Sequence, residues 1–432
     1  MTLRSPSLRR ALVWVAAGTL LTPASGFGQG RADGREPWVG TWATAPVGRV
    51  PVPPPPAAGG AAPQNAPLNF NNQTIRQIVR VSLGGARLRV VLSNVFGTAP
   101  LAVGAAYVGL REKDGAIVVG SGRPLTFGGQ TSATVPAGAT LVSDPVAVAV
   151  GNHADVAIDL HLPGDTAASS SPLTVHNGAL QTNYVSSTGN HVGSPTLPVA
   201  TTTNAWFFLA RVEVLPAGDA GAVIAFGDSL TDGTASTPNT NNRWPDQFAR
   251  RLLAQRGARL GVLNLGIAGN RLLLDGAGVS ALARFDRDVG AQTGATHLIV
   301  LEGINDLGQG RANPPSVTDL IGAHRQIIDR AHARGLRVYG ATMLPFEGTT
   351  FPGYWTPENE AKRQEFNKWL RTSAAYDGVL DFDAVVRDPA EPTKLAARYK
   401  AADNLHLNNE GYQALADSID LGLFRAEGTR RR

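Results

Sequence analysis

Cysteine is absent from the 432-residue chain. That excludes disulfide frameworks, thiolate catalysis, iron–sulfur clusters and cysteine-ligated zinc at once. A chain this long can build a core large enough to be exported without disulfides. HExxH, an acidic loop of EF-hand spacing and a phosphate-cradling glycine loop are also missing, so no cofactor and no metal is implied. GxSxG is missing too, which argues against the α/β-hydrolase fold. Charge is sparse, at 17% of residues with a formal net of +5. Three arginines in the first 26 residues account for 3 of that +5 and leave +2 for the rest. No basic stripe follows a helix, so nucleic acid is not an expected partner.

Among what is present, the amino terminus has the pattern of a secretory signal. Arg4, Arg9 and Arg10 are followed by the uncharged apolar run Ala11 to Leu21 and by small residues at Ala24-Ser25-Gly26. The apolar run is shorter than the ~20 residues a membrane span requires. Residues 1–26 are therefore expected to be a signal peptide cleaved near Gly26, which makes the protein secreted or periplasmic. The adjacent Arg9-Arg10 leaves both the general and the twin-arginine export routes open. No stable membrane insertion is expected.

Two rhythms divide the remainder. A proline-, glycine- and alanine-rich stretch from Val50 to Pro67 reads as an extended loop after a strand at Trp38 to Pro46. From Thr74 apolar and polar residues alternate with period two. Val79, Val81 and Leu83 precede Gly84-Gly85, and Leu88, Val90 and Leu92 follow, which reads as a hairpin closed by a two-residue turn. Further runs at Leu101–Val108, Ala116–Val119, Ala147–Val150, Val156–Leu162 and Phe207–Val214 extend the series. Residues 38–215 are expected to form an antiparallel β-sandwich of jelly-roll type.

Near residue 220 short apolar strands begin to alternate with helical stripes, such as Trp244, Phe248 and Leu252 at i, i+4 and i+8. Strands are expected at 223–226, 262–265, 297–301, 337–341 and 379–382. A helix headed by Ser316, with Asp319 as its capping partner, precedes the fourth. The alternation predicts an α/β unit with a parallel sheet over residues 218–428.

Ligands of such sheets bind beyond the carboxyl ends of the strands. Four polar segments fall there: Gly227-Asp228-Ser229-Leu230, Gly266-Ile267-Ala268-Gly269-Asn270, Gly303-Ile304-Asn305-Asp306 and Asp403-Asn404-Leu405-His406. A serine hydroxyl is a weak nucleophile until a base takes its proton. Of the eight histidines, His406 alone has a carboxylate three residues upstream inside a motif of this kind. His297, His324 and His332 read as structural; His153, His161, His176 and His191 lie in the β half, away from the rim. Asp228 is expected to bond the local backbone. Glu302, Asp306, Arg271 and Asp286 are candidates for a polar network beneath the site.

The four segments, in this order, resemble the four sequence blocks of the SGNH (GDSL) hydrolase superfamily over roughly residues 218–425. The resemblance implies a flavodoxin-like catalytic fold and carboxylic ester hydrolysis. Ser229 maps to the nucleophile, Asp403 and His406 to the rest of a triad, and Ser229, Gly269 and Asn305 to oxyanion donors; Gly266 is the alternative for the glycine. A β-sandwich ahead of such a domain resembles the carbohydrate-esterase branch that includes xylanase-associated esterases. That implies a small-molecule or polysaccharide ester substrate with a short, acetyl-type acyl group. A lipolytic esterase, lysophospholipase or arylesterase acting on longer chains is the alternative, and a non-catalytic binding protein with a relic domain is the other. The loop Pro345 to Trp355, with Phe346, Phe351, Tyr354 and Trp355, can wall the site with aromatic rings, or the rings can serve only to pin the loop to the body.

Overall fold

A computed structural model of the chain describes residue 2 and residues 36–49, 69–169, 171–310 and 314–424. The expected signal peptide, the proline-rich stretch from Val50 and the Arg430 to Arg432 tail lie outside the described residues. Among the described residues no helix is long and apolar enough to cross a membrane.

The first part is antiparallel throughout. Its elements are β1 (Val39–Ala43), β2 (Val47–Arg49), β3 (Gln73–Arg80), β4 (Arg87–Ser93), β5 (Leu101–Val103), β6 (Ala105–Leu110), β7 (Arg123–Leu125), β8 (Ala133–Val135), β9 (Thr140–Val142) and β10 (Asp155–Leu162). The short helix α1 (Thr166–Ser169) precedes β11 (Leu173–Asn177), β12 (Asn183–Thr188), β13 (Val199–Thr203), β14 (Ala205–Phe207) and β15 (Leu209–Leu215). The two larger sheets run β1-β15-β4-β9 and β13-β12-β3-β10-β6-β7. Their inward-facing residues, among them Val79, Val90, Ile158 and Val212, are fully buried or nearly so. Arg76 on β3 and Asp159 on β10, both inaccessible, form a two-pronged ion pair at 2.7 and 2.8 Å.

The hairpin expected around Gly84-Gly85 does not form. β3 lies in the six-stranded sheet and β4 in the four-stranded one. Gly85 bridges Val150, and the Gly84 amide donates to the Asn152 side chain. Apolar alternation puts one face of each strand toward the interior whichever strand is its neighbour, so two strands facing each other across the core give the same sequence as two paired edge to edge. The runs at Ala116–Val119 and Ala147–Val150 contribute single bridges, at Ile117 and Val150, and no strand.

The second part alternates strands and helices: β16 (Gly221–Gly227), α2 (Ser229–Asp232), α3 (Trp244–Ala254), β17 (Leu260–Gly266), α4 (Ala281–Asp288), β18 (Ala295–Leu301), α5 (Ile304–Gly308), α6 (Val317–His332), β19 (Arg337–Ala341), α7 (Pro357–Thr372), β20 (Gly378–Leu380), α8 (Phe382–Val386) and α9 (Asn409–Ser418). The five strands are parallel in the order β17-β16-β18-β19-β20. This is the flavodoxin-like order, which reverses direction beside its first strand and opens a crevice there. β16 is buried at every position, as a central strand covered on both faces must be. The helices pack in two groups, α3, α8 and α9 in one and α4 to α7 in the other. α6 opens on the expected reciprocal cap between Ser316 and Asp319.

The described residues from Glu36 onward form one compact unit, and buried apolar side chains of both parts make one connected core. β1 lies along β17, an edge strand that would otherwise expose a row of unpaired backbone groups. Ser82 fills part of that row, accepting from the Val262 amide at 2.8 Å. The approach is close enough that a Cβ on Gly261 would sit 2.3 Å from the Gly40 carbonyl oxygen.

Candidate active site

The carboxyl ends of β16, β17 and β18 meet at the crevice, and the loop bearing Asp403 and His406 reaches it from before α9. Asp228 follows β16 and caps α2, its Oδ1 accepting from the Leu230 amide at 2.9 Å. Ser229 is thereby held at the first turn, almost fully buried. His406 Nε2 lies 2.8 Å from Ser229 Oγ, and His406 Nδ1 lies 2.6 Å from Asp403 Oδ2. A carboxylate can only accept, so it fixes the proton of a neutral imidazole on Nδ1 and leaves Nε2 to accept the serine O–H. Burial pushes the Asp403 carboxyl up, but hydrogen bonds from the His406 ring and from the His406 and Leu405 amides outweigh it and hold it well below the usual range. Asp403 Oδ1 takes those two amides at 2.9 and 3.0 Å, so the three-residue spacing closes on itself as one turn.

Gly269 stands past the end of β17 with φ +76°. A side chain there would be strained, which favours glycine. Its neighbour Ala268 donates its amide to Asp232 Oδ2 at 3.1 Å. Among the described residues no acceptor meets the Gly269 or the Ser229 amide. Asn305, the second residue of α5, donates from Nδ2 to the Asn270 carbonyl at 2.8 Å. Its Oδ1 accepts from Tyr354 at 2.8 Å and from Gln309 at 2.9 Å. These partners fix which end of the amide is nitrogen and leave its second N–H free to donate. The structure therefore brings together Ser229, Asp403 and His406 by direct contact, and carries Gly269 and Asn305 on the neighbouring strand-end loops, joined through Asn270 and Gln309. Gly266 ends β17 inside the strand ladder, where a Cβ would meet the Asp232 amide at 2.2 Å.

Beneath the serine, Asp228, Glu302 and Asp306 are buried together with Arg284. Burial raises the Asp228 carboxyl to about 7 and the Glu302 carboxyl well above its ordinary range. Asp306 accepts from the Leu272 and Leu273 amides and so shapes the loop after Gly269. One member expected in this network is elsewhere: Asp286 is exposed and pairs with Arg330 and Arg334, while Arg271 donates to the Asp275 carbonyl and its charge favours ionised Asp306. Arg284 is the member that was not expected. It donates to the Gly227 and Leu265 carbonyls at 3.0 and 2.9 Å and to the Asn270 side chain at 2.9 Å, tying the ends of β16 and β17. It sits on the buried stripe of α4, where its charge gave no sign of its role.

Of the four rings in the loop from Pro345, Phe346 and Tyr354 are buried and Trp355 is half-buried. Phe351 is the exposed one, 45% accessible, with its ring edge-on to His406. Asn404 Nδ2 and the Asp403 carbonyl bind Gly348 and Thr350, so this loop braces the one carrying Asp403 and His406. His297 and His324 are buried and held neutral by burial, each lowered to about 4. His176 departs from expectation: it reaches α2 and contacts Asp232. Among the described residues no three His, Asp or Glu side chains converge as a metal site requires.

Residues 225–414 match the model of the GDSL-like lipase/acylhydrolase family. No curated protein matches the chain. Solved structures similar to it include Est24, a carbohydrate acetylesterase from Sinorhizobium meliloti, at 17% identity over 45% of this chain and 94% of that one, with a TM-score of 0.36. An aryl esterase of M. smegmatis is 15% identical over 46% and 96%, with a TM-score of 0.37. A GDSL-like lipase from Bacteroides thetaiotaomicron VPI-5482 is 18% identical over 45% and 84%, with a TM-score of 0.35.

Proposed function

From the premise that the C-terminal half of this chain, residues 225–414, belongs to the GDSL-like lipase/acylhydrolase family and makes it a carboxylic ester hydrolase, we propose a serine mechanism run by Ser229, His406 and Asp403. The observation that carries it is the unbroken hydrogen-bonded line from Asp403 through His406 to Ser229 Oγ. Ser229 Oγ attacks the ester carbonyl carbon while its proton passes to His406 Nε2. Asp403 stabilises the imidazolium that results. The carbonyl oxygen becomes an oxyanion facing the Ser229 and Gly269 amides and the free N–H of Asn305. Collapse breaks the bond to the alcohol oxygen, which leaves with the proton from Nε2. Water, deprotonated by His406, then attacks the acyl carbon, and the Oγ–C bond breaks as Oγ regains the proton. Acid and free serine remain.

Within this reading residues 38–215 form an accessory β-sandwich, residues 218–428 the catalytic domain, and residues 1–26 an export signal. The substrate we favour is a short, acetyl-type ester, on a small molecule or a polysaccharide. Supporting this is the loop beside the triad: it presents one exposed ring, Phe351, and buries two others in holding itself and Asn305. The alternative, longer acyl or aryl esters, is favoured by the exposed Leu274 (55%) and Phe351 (45%) on the two rim loops. Ser229→Ala should keep its circular dichroism and lose nearly all activity on p-nitrophenyl acetate. Acyl-length profiling separates the substrates: a kcat/KM that falls beyond acetyl supports the first, and one that climbs steadily to octanoyl supports the second.

A further inference from the structure

His176, on β11 of the antiparallel part, is buried against the catalytic part. Its ring meets two acceptors: Nδ1 the Ala45 carbonyl at 2.9 Å and Nε2 Asp232 Oδ1 at 3.1 Å. A backbone carbonyl can only accept, so Nδ1 donates to Ala45, and Nε2 is left to bond the Asp232 carboxyl. Asp232 ends α2, the helix that begins with Ser229, and its other oxygen accepts from the Ala268 amide. Ala268 precedes Gly269, whose amide the reading above assigns to the oxyanion. The Arg243 guanidinium, packed over Trp206, donates to the Asp232 carbonyl and the Ala179 carbonyl, and so holds the same corner from its other side. The Trp206 ring lies 5.6 Å from that of His176.

We infer that His176 is a positioning residue for catalysis: through Asp232 it sets the Ala268–Gly269 peptide, so that the antiparallel part directly completes the oxyanion site. Resting on the proposed oxyanion role of Gly269, this gives the first part a catalytic duty independent of any substrate binding of its own. Asp232 has one oxygen for each neighbour, so a lost His176 bond leaves a buried carboxylate free to swing, and the Ala268 amide with it. A preorganised donor acts through its placement, and displacing it lowers the rate of the chemical step more than it lowers binding.

The test is the full-length His176→Phe variant, which keeps a ring against Trp206 and does not enlarge the adjoining cavity of about 40 Å³. On p-nitrophenyl acetate kcat should fall about tenfold, a fraction of the loss of a whole donor, with KM changed less than about twofold. Inhibition by phenylboronic acid, whose tetrahedral anion on Ser229 needs the same donors, should weaken in step with kcat. In His176→Gln the amide nitrogen occupies the place of Nε2, and most of kcat should return. His176→Asn places it at Nδ1 instead and should not restore the rate. That Gln–Asn difference decides the matter if the Phe variant does not fold. A folded Phe variant with unchanged kcat, or Gln and Asn variants of equal kcat, overturns the inference. Asn305→Ala, measured beside them, separates the two levels. If it lowers kcat by about a hundredfold while His176→Phe changes nothing, only the His176 assignment fails; if Asn305→Ala is also silent, the oxyanion reading itself fails.

Discussion

Tyr354→Phe removes a single oxygen from the support of Asn305 and leaves the ring, which packs edge-on against Phe346, in place. The lost hydroxyl donates to Asn305 Oδ1 at 2.8 Å in a buried setting. Burial, with Asp228, Asp306 and Glu302 nearby, raises the phenol well above its ordinary range and keeps it a donor. Gln309 still reaches the same oxygen, so the acceptor is not orphaned. The loss should therefore be that of one ordinary neutral hydrogen bond, about 1 kcal/mol, or about fivefold in kcat. The ceiling is set by losing Asn305 as a donor altogether, about 3–4 kcal/mol. Removing Gln309 as well, in Tyr354→Phe/Gln309→Ala, leaves only the Asn270 carbonyl to orient the amide and should move the loss toward that ceiling. Steady-state kinetics on p-nitrophenyl acetate read both values. A double variant within about twofold of wild type in kcat, or a loss confined to KM, would refute the orienting role.

Two other consequences concern stability. Asp159→Ala strands Arg76 as an uncompensated buried charge and should cost about 3–5 kcal/mol, read as a lower urea midpoint; Asp159→Asn should cost less, because it still accepts. Burial raises the Asp228 carboxyl to about 7, while an unfolded aspartate titrates near ~3.9, so between those values the folded chain holds a proton that the unfolded chain has released. Stability from this group is full below that window and is lost as pH climbs through it. Asp228→Asn keeps an acceptor for the Leu230 amide and removes the titration, so its melting temperature should fall less between pH 5 and pH 8 than that of wild type. Equal slopes would show that Asp228 is ionised throughout.

The parts of the molecule legible in the sequence are those whose information is local. Parallel strands announce themselves as apolar runs, and the segments that follow them must sit on one rim; within those segments it was the resemblance to the four SGNH blocks that singled out Ser229, Gly269 and Asn305. Asp403 and His406 share one turn, a geometry that spacing alone conveys. The misread hairpin at Gly84-Gly85 shows the limit: period-two alternation tells which face of a strand is buried and is silent about its neighbour. His176, Arg284 and Tyr354 were beyond reach for a related reason. Each acts through a partner distant in sequence, Asp232, the ends of β16 and β17, and Asn305 in turn, and nothing adjacent to them marks the contact. The close seating of β1 on β17 is equally non-local; the small residues Gly40 and Gly261 permit it without naming each other.

In the proposed mechanism Ser229, activated by His406, is the residue that becomes acylated. Intact-mass and peptide mass spectrometry after reaction with a fluorophosphonate test it most directly. One adduct per chain is expected, on the peptide containing Ser229, with esterase activity lost in proportion to labelling and labelling slowed strongly in His406→Ala. An adduct on another residue, or full labelling of Ser229 with activity intact, would contradict it.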